Sequence, residues 1–282
     1  MKPSTSARVI VRGGLCFLAA AMLGACGSAT DLSIGSQEVD PFRRLWRDEF
    51  DAIEGDRWEI STHSFAENYA DFTAENAMAR EGMLELRVDA KAAGFTGKPY
   101  AAAELRSRQE FTYGKFLVRA RFASGSGVIS TFFAFYDFFQ RDPASENWNE
   151  IVVESAGTNR LVFTYTLQNV TLPDSRERNS SSIDLAFDST RDFHVYGFDW
   201  TPSRLRFFVD GEVRLTHDEA IAALVRLPKR IEMSAYPSTR TELSGDFDPS
   251  ALPMVAHYDW VEVYEYTGPV PYMDAGDAGL AE

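Results

Sequence analysis

Between residues 42 and 266 the chain repeats one device: a short alternation of apolar and polar residues, then turn residues, then another alternation. Met83 to Val88 alternates after Glu81-Gly82, Phe116 to Phe122 does likewise, and Leu161 to Leu167 alternates with threonine. Successive strand side chains point to opposite faces, so each such segment buries one face and wets the other. Phe193 to Trp200 and Leu205 to Val209 flank Thr201-Pro202-Ser203-Arg204, and Asp210-Gly211 then turns the chain into Glu212 to Leu215. Asp-Gly is a two-residue hairpin signal. Val128 to Tyr136 is a long apolar run and reads as a strand buried on both faces; His257 to Tyr266 reads as the last strand. Only Asp218 to Leu224 suggests a helix, and a short one. Regular strands without helical periods predict an all-β fold, a sandwich of two sheets. No Pro/Gly-rich break divides this body and no internal repeat is visible, so it reads as one domain.

Within that pattern, Trp148-Asn149-Glu150-Ile151-Val152-Val153-Glu154 carries the chemistry. Its β-branched residues favour a strand. Glu150, Val152 and Glu154 then share one face while Ile151 and Val153 point the other way. Two carboxylates on one side of a sheet are the equipment for cleaving a glycosidic bond.

Composition narrows the partners. The formal charge of −14 disfavours nucleic acid and anionic surfaces. The 21 Phe, 11 Tyr and 5 Trp suit an all-β core and also suit sugar binding, because aromatic faces are apolar platforms. The four histidines, His63, His194, His217 and His257, form no pair at metal-ligand spacing and read as structural. There is no phosphate-cradling glycine motif and no nucleophilic serine elbow.

Residues 1–25 read as a targeting segment. Lys2, Arg8 and Arg12 form a basic region and Leu15 to Met22 an apolar run too short to span a bilayer. Leu23-Gly24-Ala25-Cys26 resembles the lipobox of bacterial lipoproteins, which implies lipidation of Cys26. In those signals an Asp after the cysteine retains the protein at the inner membrane; Gly27 stands there, so an outer-membrane lipoprotein is expected, at its periplasmic face or the cell surface. Cys16 falls in the removed segment, so the mature domain has no thiol for a disulfide. Residues 26–41 then form a lipidated tether, 42–267 the domain, and 268–282 an acidic tail without a core pattern.

The body resembles glycoside hydrolase family 16, the family of lichenases and laminarinases, over roughly residues 44–266. Ala103 to Ser107 before Tyr113-Gly114 is similar to one family stretch, and Gly127 to Phe133 to its central strand. His194 to Pro202 followed by Val209-Asp210-Gly211 resembles a characteristic hairpin, and Tyr258 to Val261 the last strand. The resemblance implies a concanavalin A-like jelly roll: two curved antiparallel sheets with a sugar cleft on the concave face.

It also implies roles. The family's active strand has the pattern Glu-x-Asp-x-Glu, which makes Glu150 the nucleophile and Glu154 the acid/base of a retaining endo-β-glycanase or transglycosylase. Asn76, Glu104 and Arg106 match hydrogen-bonding positions, and Trp148 matches a cleft wall. Thr164 and Thr166 stand where lichenases have Asn and Tyr, Tyr236 where the family has a cleft Trp, and a second Trp is replaced near Leu243. Val152 stands where the family has Asp, and offers neither charge nor hydrogen bond. The alternative is therefore a glycan-binding or envelope-structural lipoprotein with a degenerate site. No cofactor is expected to be required. Asp259 matches a calcium-binding Asp of some members, which implies a structural Ca²⁺. The expected partners are a polysaccharide and, through the lipid alone, a membrane; the domain is expected to be a monomer.

Overall fold

The computed structural model describes residues 40–90, 96–137, 148–157, 162–169 and 177–270 of the 282-residue chain. The targeting segment, Cys26, residues 27–39 of the tether and residues 271–282 of the tail lie outside the described residues. In chain order the strands are β1 (Phe42–Asp48), β2 (Trp58–Ile60), β3 (Ala70–Phe72), β4 (Ala77–Arg80), β5 (Met83–Ala90), β6 (Tyr100–Phe111), β7 (Gly114–Arg121) and β8 (Val128–Phe135). There follow β9 (Asn149–Ala156), β10 (Val162–Asn169), β11 (Glu177–Asp184), β12 (His194–Thr201), β13 (Arg204–Val209), β14 (Glu212–His217), β15 (Lys229–Pro237) and β16 (Met254–Tyr266).

One sheet has the order β11-β10-β9-β8-β15-β6 and the other β5-β16-β7-β12-β13-β14. They meet where Asp89 and Ala90 pair with Ala101 and Tyr100. Among the described residues the ladders are antiparallel, apart from the short parallel pairing of β3 with β6. The neighbouring strands β8, β15 and β6 are distant in sequence, so the acid-bearing sheet is assembled by long crossovers rather than by hairpins alone.

The core lies between the sheets. β9 contributes Ile151 and Val153, β8 contributes Phe132 and Ala134, and β15 contributes Ile231, Met233 and Ala235. The opposite sheet answers with Phe116, Phe198, Phe207, Tyr258 and Val261. Phe132 and Phe198 touch across the gap with ring centroids 5.9 Å apart. Burying such side chains stabilises by roughly 1.5–3 kcal/mol each. Tyr258 of β16 also pegs the sheets together: its hydroxyl donates to the backbone oxygens of Thr131 (2.8 Å) and Ser234 (3.2 Å) on β8 and β15.

Local chemistry explains the turns. Asp210 and Gly211 have φ of 51° and 80°, the left-handed pair that a two-residue hairpin needs between β13 and β14. Asp210 also accepts from the Val195 backbone N–H at 2.9 Å, tying the turn to β12. The expected short helix forms at Glu219–Ala222, capped by the Asp218 carboxylate and continued by a 3₁₀ turn to Val225. A second short helix, Thr241–Ser244, has too few residues to show a period and was not anticipated. The Val128–Tyr136 expectation needs correction. Phe133 and Phe135 are only half-buried, because their face of β8 is turned away from the core and carries the polar site.

Candidate active site

The site is built on the outer face of the β9 sheet. Alternation places Glu150, Val152 and Glu154 on that face, with Ile151 and Val153 in the core behind them. Glu150 is half-buried, Val152 is 6% exposed and Glu154 4%. The ladders extend this face into three rows running across the strands. The first joins Thr164, Glu154, Thr131, Ser234 and Glu104. The second joins Thr166, Val152, Phe133, Glu232, Arg106 and Glu59. The third joins Gln168, Glu150, Phe135 and Arg230.

Glu154 sits at the polar end of the strand. The Arg240 guanidinium approaches it with Nη2 3.9 Å from Oε1. Beneath it the Thr131 and Ser234 hydroxyls are 2.6 Å apart. Tyr236, on the same face of β15, is 7% exposed and lies edge-on to Phe65 (5.1 Å) and Phe72 (6.3 Å). Burial, then the Glu154 charge, push its phenol well above the usual tyrosine range, so it stays a neutral hydrogen-bonding group. At the Glu150 end, Trp148 meets Phe135 edge-on at 5.4 Å, which places an aromatic wall beside the expected nucleophile.

Further across the sheet lies a second polar group. Glu104 is 6% exposed and pushed up to about 7 by burial, against the opposing pull of Ser61 and Arg106. Arg106 donates to Glu59 (2.5 Å) and to Asp137 (3.3 Å), and Arg230 donates to Glu59 (3.2 Å). Burial is the largest single influence and raises Glu59, but the hydrogen bonds and charges of Arg106 and Arg230 together outweigh it and hold the carboxyl below its ordinary value. His63 Nε2 lies 3.8 Å from Glu104, and burial with the nearby Arg106 charge holds the imidazole below its ordinary value. Glu232 is 4% exposed; burial, then the neighbouring Glu104, push it well up.

The β6–β15 ladder slips between Arg230 and Glu232, and Ser107 fills the irregularity by accepting from Ile231 N–H at 2.9 Å. Such slips bend strands and re-aim side chains. Glu59, Asp137, Arg230, Glu232 and Arg240 carry no motif of their own. Arg230 and Glu232 share β15, Glu59 lies on β2, and Asp137 and Arg240 lie in loops, all outside the segments that the sequence singles out.

Other expected residues stand elsewhere or do other work. Asn76 is 3% exposed and its amide is spent on structure: Thr73 donates to it at 2.8 Å, and it donates to the Arg87 carbonyl at 3.1 Å and Asp89 at 3.2 Å. Thr164 and Thr166 stand opposite Glu154 and Val152 in the β9–β10 register. Leu243 lies in the second short helix, packed on the core. Asp259, at the irregularity of β16 between Tyr258 and Trp260, is ion-paired to Arg119. Among the described residues no group of three His, Cys, Asp or Glu is placed to hold a metal. Ca²⁺ takes 6–8 oxygens, and the Asp259 carboxylate is here engaged by Arg119.

Comparison with known proteins agrees with this layout. The chain is 29% identical over 234 residues to a beta-glucanase of Brevibacillus brevis, covering 81% of this chain and 85% of that one. It is 32% identical over 189 residues to a beta-glucanase of Fibrobacter succinogenes, covering 64% of this chain; it spans about half (53%) of that longer relative. A solved beta-1,3-1,4-glucanase (lichenase) from a mouse hindgut metagenome superposes with a TM-score of 0.69 at 27% identity, over 78% of this chain and 98% of that one. The profile of the glycosyl hydrolases family 16 matches residues 65–261, which contain Glu104, Glu150, Glu154, Glu232 and Tyr236. The chain belongs to the glycosyl hydrolases family 16.

Proposed function

We propose that this chain is a retaining endo-β-glucanase whose nucleophile is Glu150 and whose acid/base is Glu154. The observation that carries this is their placement: both acids lie on the outer face of β9, within a family 16 fold, with the same strand's Ile151 and Val153 buried behind them. Glu150 attacks the anomeric carbon while Glu154 protonates the departing glycosidic oxygen. Glu154 then takes a proton from the incoming water, which releases the sugar with its configuration retained. A sugar hydroxyl in place of water would give transglycosylation with the same residues.

On a flat strand the two Cα atoms stand about 13 Å apart, at ~3.3 Å per residue. Retaining chemistry brings the carboxyl groups to about 5–5.5 Å. Retaining chemistry at this pair thus requires both side chains to lean inward over Val152, where a short apolar residue leaves room. The substrate class is a β-linked glucan of the envelope or surroundings, the class named for the relatives. The lipobox at Leu23–Cys26 supports tethering at the outer membrane through a lipid on Cys26.

Val152 supports a second reading, a glycan-binding protein with a silenced site. Assay of a β-glucan panel for new reducing ends decides between them, with Glu150→Gln and Glu154→Gln as controls. Binding without cleavage by the unaltered protein would overturn the enzyme reading.

A further inference from the structure

Two buried side chains of the acid-bearing sheet fasten a single turn behind Glu150. Asn149, the first residue of β9, points to the opposite face from Glu150 and is 1% exposed. Its amide nitrogen donates to the Leu224 carbonyl oxygen at 2.7 Å. Leu224 sits in the 3₁₀ turn Ala223–Val225, which packs against β9 and β10 and places Val225 in the core. The backbone oxygen of Asn149 accepts from the Tyr136 N–H at 3.0 Å, and Asn169 of β10 stands opposite it. The start of β9 is thus held from both sides and from behind.

Lys229, the first residue of β15, fastens the same turn from elsewhere in the sheet. It is 0% exposed, and its ammonium donates to the carbonyl oxygens of Val225 (2.5 Å) and Leu227 (2.6 Å). The ammonium lies 4.5 Å from the ring centroid of Trp200 on β12. Burial holds it well below the ordinary lysine value. Among the described residues no carboxylate pairs with it. A desolvated cation without a counter-ion is costly to keep, and a methionine would fill much the same space. What methionine lacks is a donor for the last carbonyls of a helical turn, which have no partner within the turn.

The two fastenings fall on neighbouring residues, Leu224 and Val225, and Asn149 is joined to Glu150 by one peptide bond. Resting on the reading of Glu150 as nucleophile, we propose that Asn149 and Lys229 form a clasp through this turn that fixes where Glu150 stands at the start of β9. Both are too deeply buried to touch a glycan, so they are positioning residues. Retaining chemistry requires Glu150 to lean inward, and a misplacement of about 1 Å at a reacting group can cost about 10²-fold in rate. Val152 offers Glu150 no side-chain hydrogen bond, which leaves more of that placement to the backbone. The clasp therefore acts on the step in which Glu150 attacks the anomeric carbon, and not on glycan affinity.

The test is the rate of glycosyl-enzyme formation on a dinitrophenyl β-glycoside of a glucan disaccharide, whose leaving group needs no proton. Stopped flow gives that rate per titrated active site. Asn149→Ala should lower it about tenfold, and Lys229→Met by a similar factor. Affinity for lichenan oligosaccharides, measured by calorimetry with Glu150→Gln added to each variant, should stay within about twofold. Tyr258→Phe, which loses stability without touching the clasp, should keep the unaltered rate. The double variant should lose no more than the slower single one, because both act through one turn. An unchanged rate in Asn149→Ala overturns the clasp and leaves the glucanase reading standing. So does an affinity loss as large as the rate loss, or a double variant whose losses multiply. If Lys229→Met does not fold, the rate and affinity of Asn149→Ala decide alone. If the unaltered protein forms no glycosyl-enzyme, or Glu150→Gln forms it as readily, the nucleophile reading falls and the clasp with it.

Discussion

Val152 stands directly opposite Phe133 across the β8–β9 ladder, so the position between the two acids is lined by an apolar neighbour on its own sheet face. Opposed side chains in such a pair have Cβ atoms about 4.5–5.5 Å apart. The departure from the family pattern at Val152 is therefore matched by its neighbour.

Val152→Asp tests what that pairing does. The new carboxylate would be 6% exposed, beside Phe133 and between two other acids. It should destabilise the domain by about 1–3 kcal/mol, measured by urea unfolding. A third negative charge makes its neighbours harder to ionise, so the alkaline limb of the pH–rate profile should move upward. An unchanged profile would show that position 152 does not tune the acids.

Glu154→Gln and Glu150→Gln should each lower kcat on a β-glucan by at least about 10²-fold. They should differ on an aryl glycoside whose leaving group needs no proton. Glu154→Gln should then form the glycosyl-enzyme at a near-normal rate, because the nucleophile is intact. Glu150→Gln should stay inactive. Equal recovery of both variants would reverse or remove the assigned roles.

Tyr258→Phe should cost about 1–2 kcal/mol of stability without altering glycan affinity. Its hydroxyl links two carbonyl groups of the acid-bearing sheet from the opposite sheet, and no substrate reaches it at 0% exposure. Chemical denaturation and binding measured on the same protein check both halves.

Glu104 should make stability fall with pH. Its folded value of about 7 lies above the ordinary 4.5, so the folded state holds a proton that the unfolded state has lost. No penalty exists below pH 4.5; it grows from there to about pH 7 and persists above. Fully realised it amounts to about 3 kcal/mol. Glu104→Gln should therefore melt higher than the unaltered protein at pH 8 and level with it at pH 4.5. Equal melting points at both values would show that the carboxyl is not desolvated.

Legibility followed range in the chain. Asp210-Gly211 was readable because the left-handed turn is a property of two adjacent residues. The common face of Glu150 and Glu154 was readable because strand alternation is local. Asn76 shows the limit of matching positions one by one, since its amide is consumed by Thr73, Arg87 and Asp89. Val128–Tyr136 shows a second limit: an apolar run does not say whether its far side meets the core, and Phe133 and Phe135 instead lie half-buried on the face that carries the two acids.

By itself the sequence determined the strand elements, their turns, the family and the two acids, because alternation, hairpin chemistry and a contiguous motif act over a few residues. Tertiary structure alone decided what those acids are set among. Glu59, Arg106, Asp137 and Glu232 come from four separate stretches of chain and become one group only through the order β8-β15-β6-β2 and the slip beside Ser107. Burial, and with it the charge state of Glu104 and Glu232, exists only once the sheet has closed over them. No local pattern encodes it, because desolvation depends on every strand that surrounds a side chain and not on its neighbours in sequence.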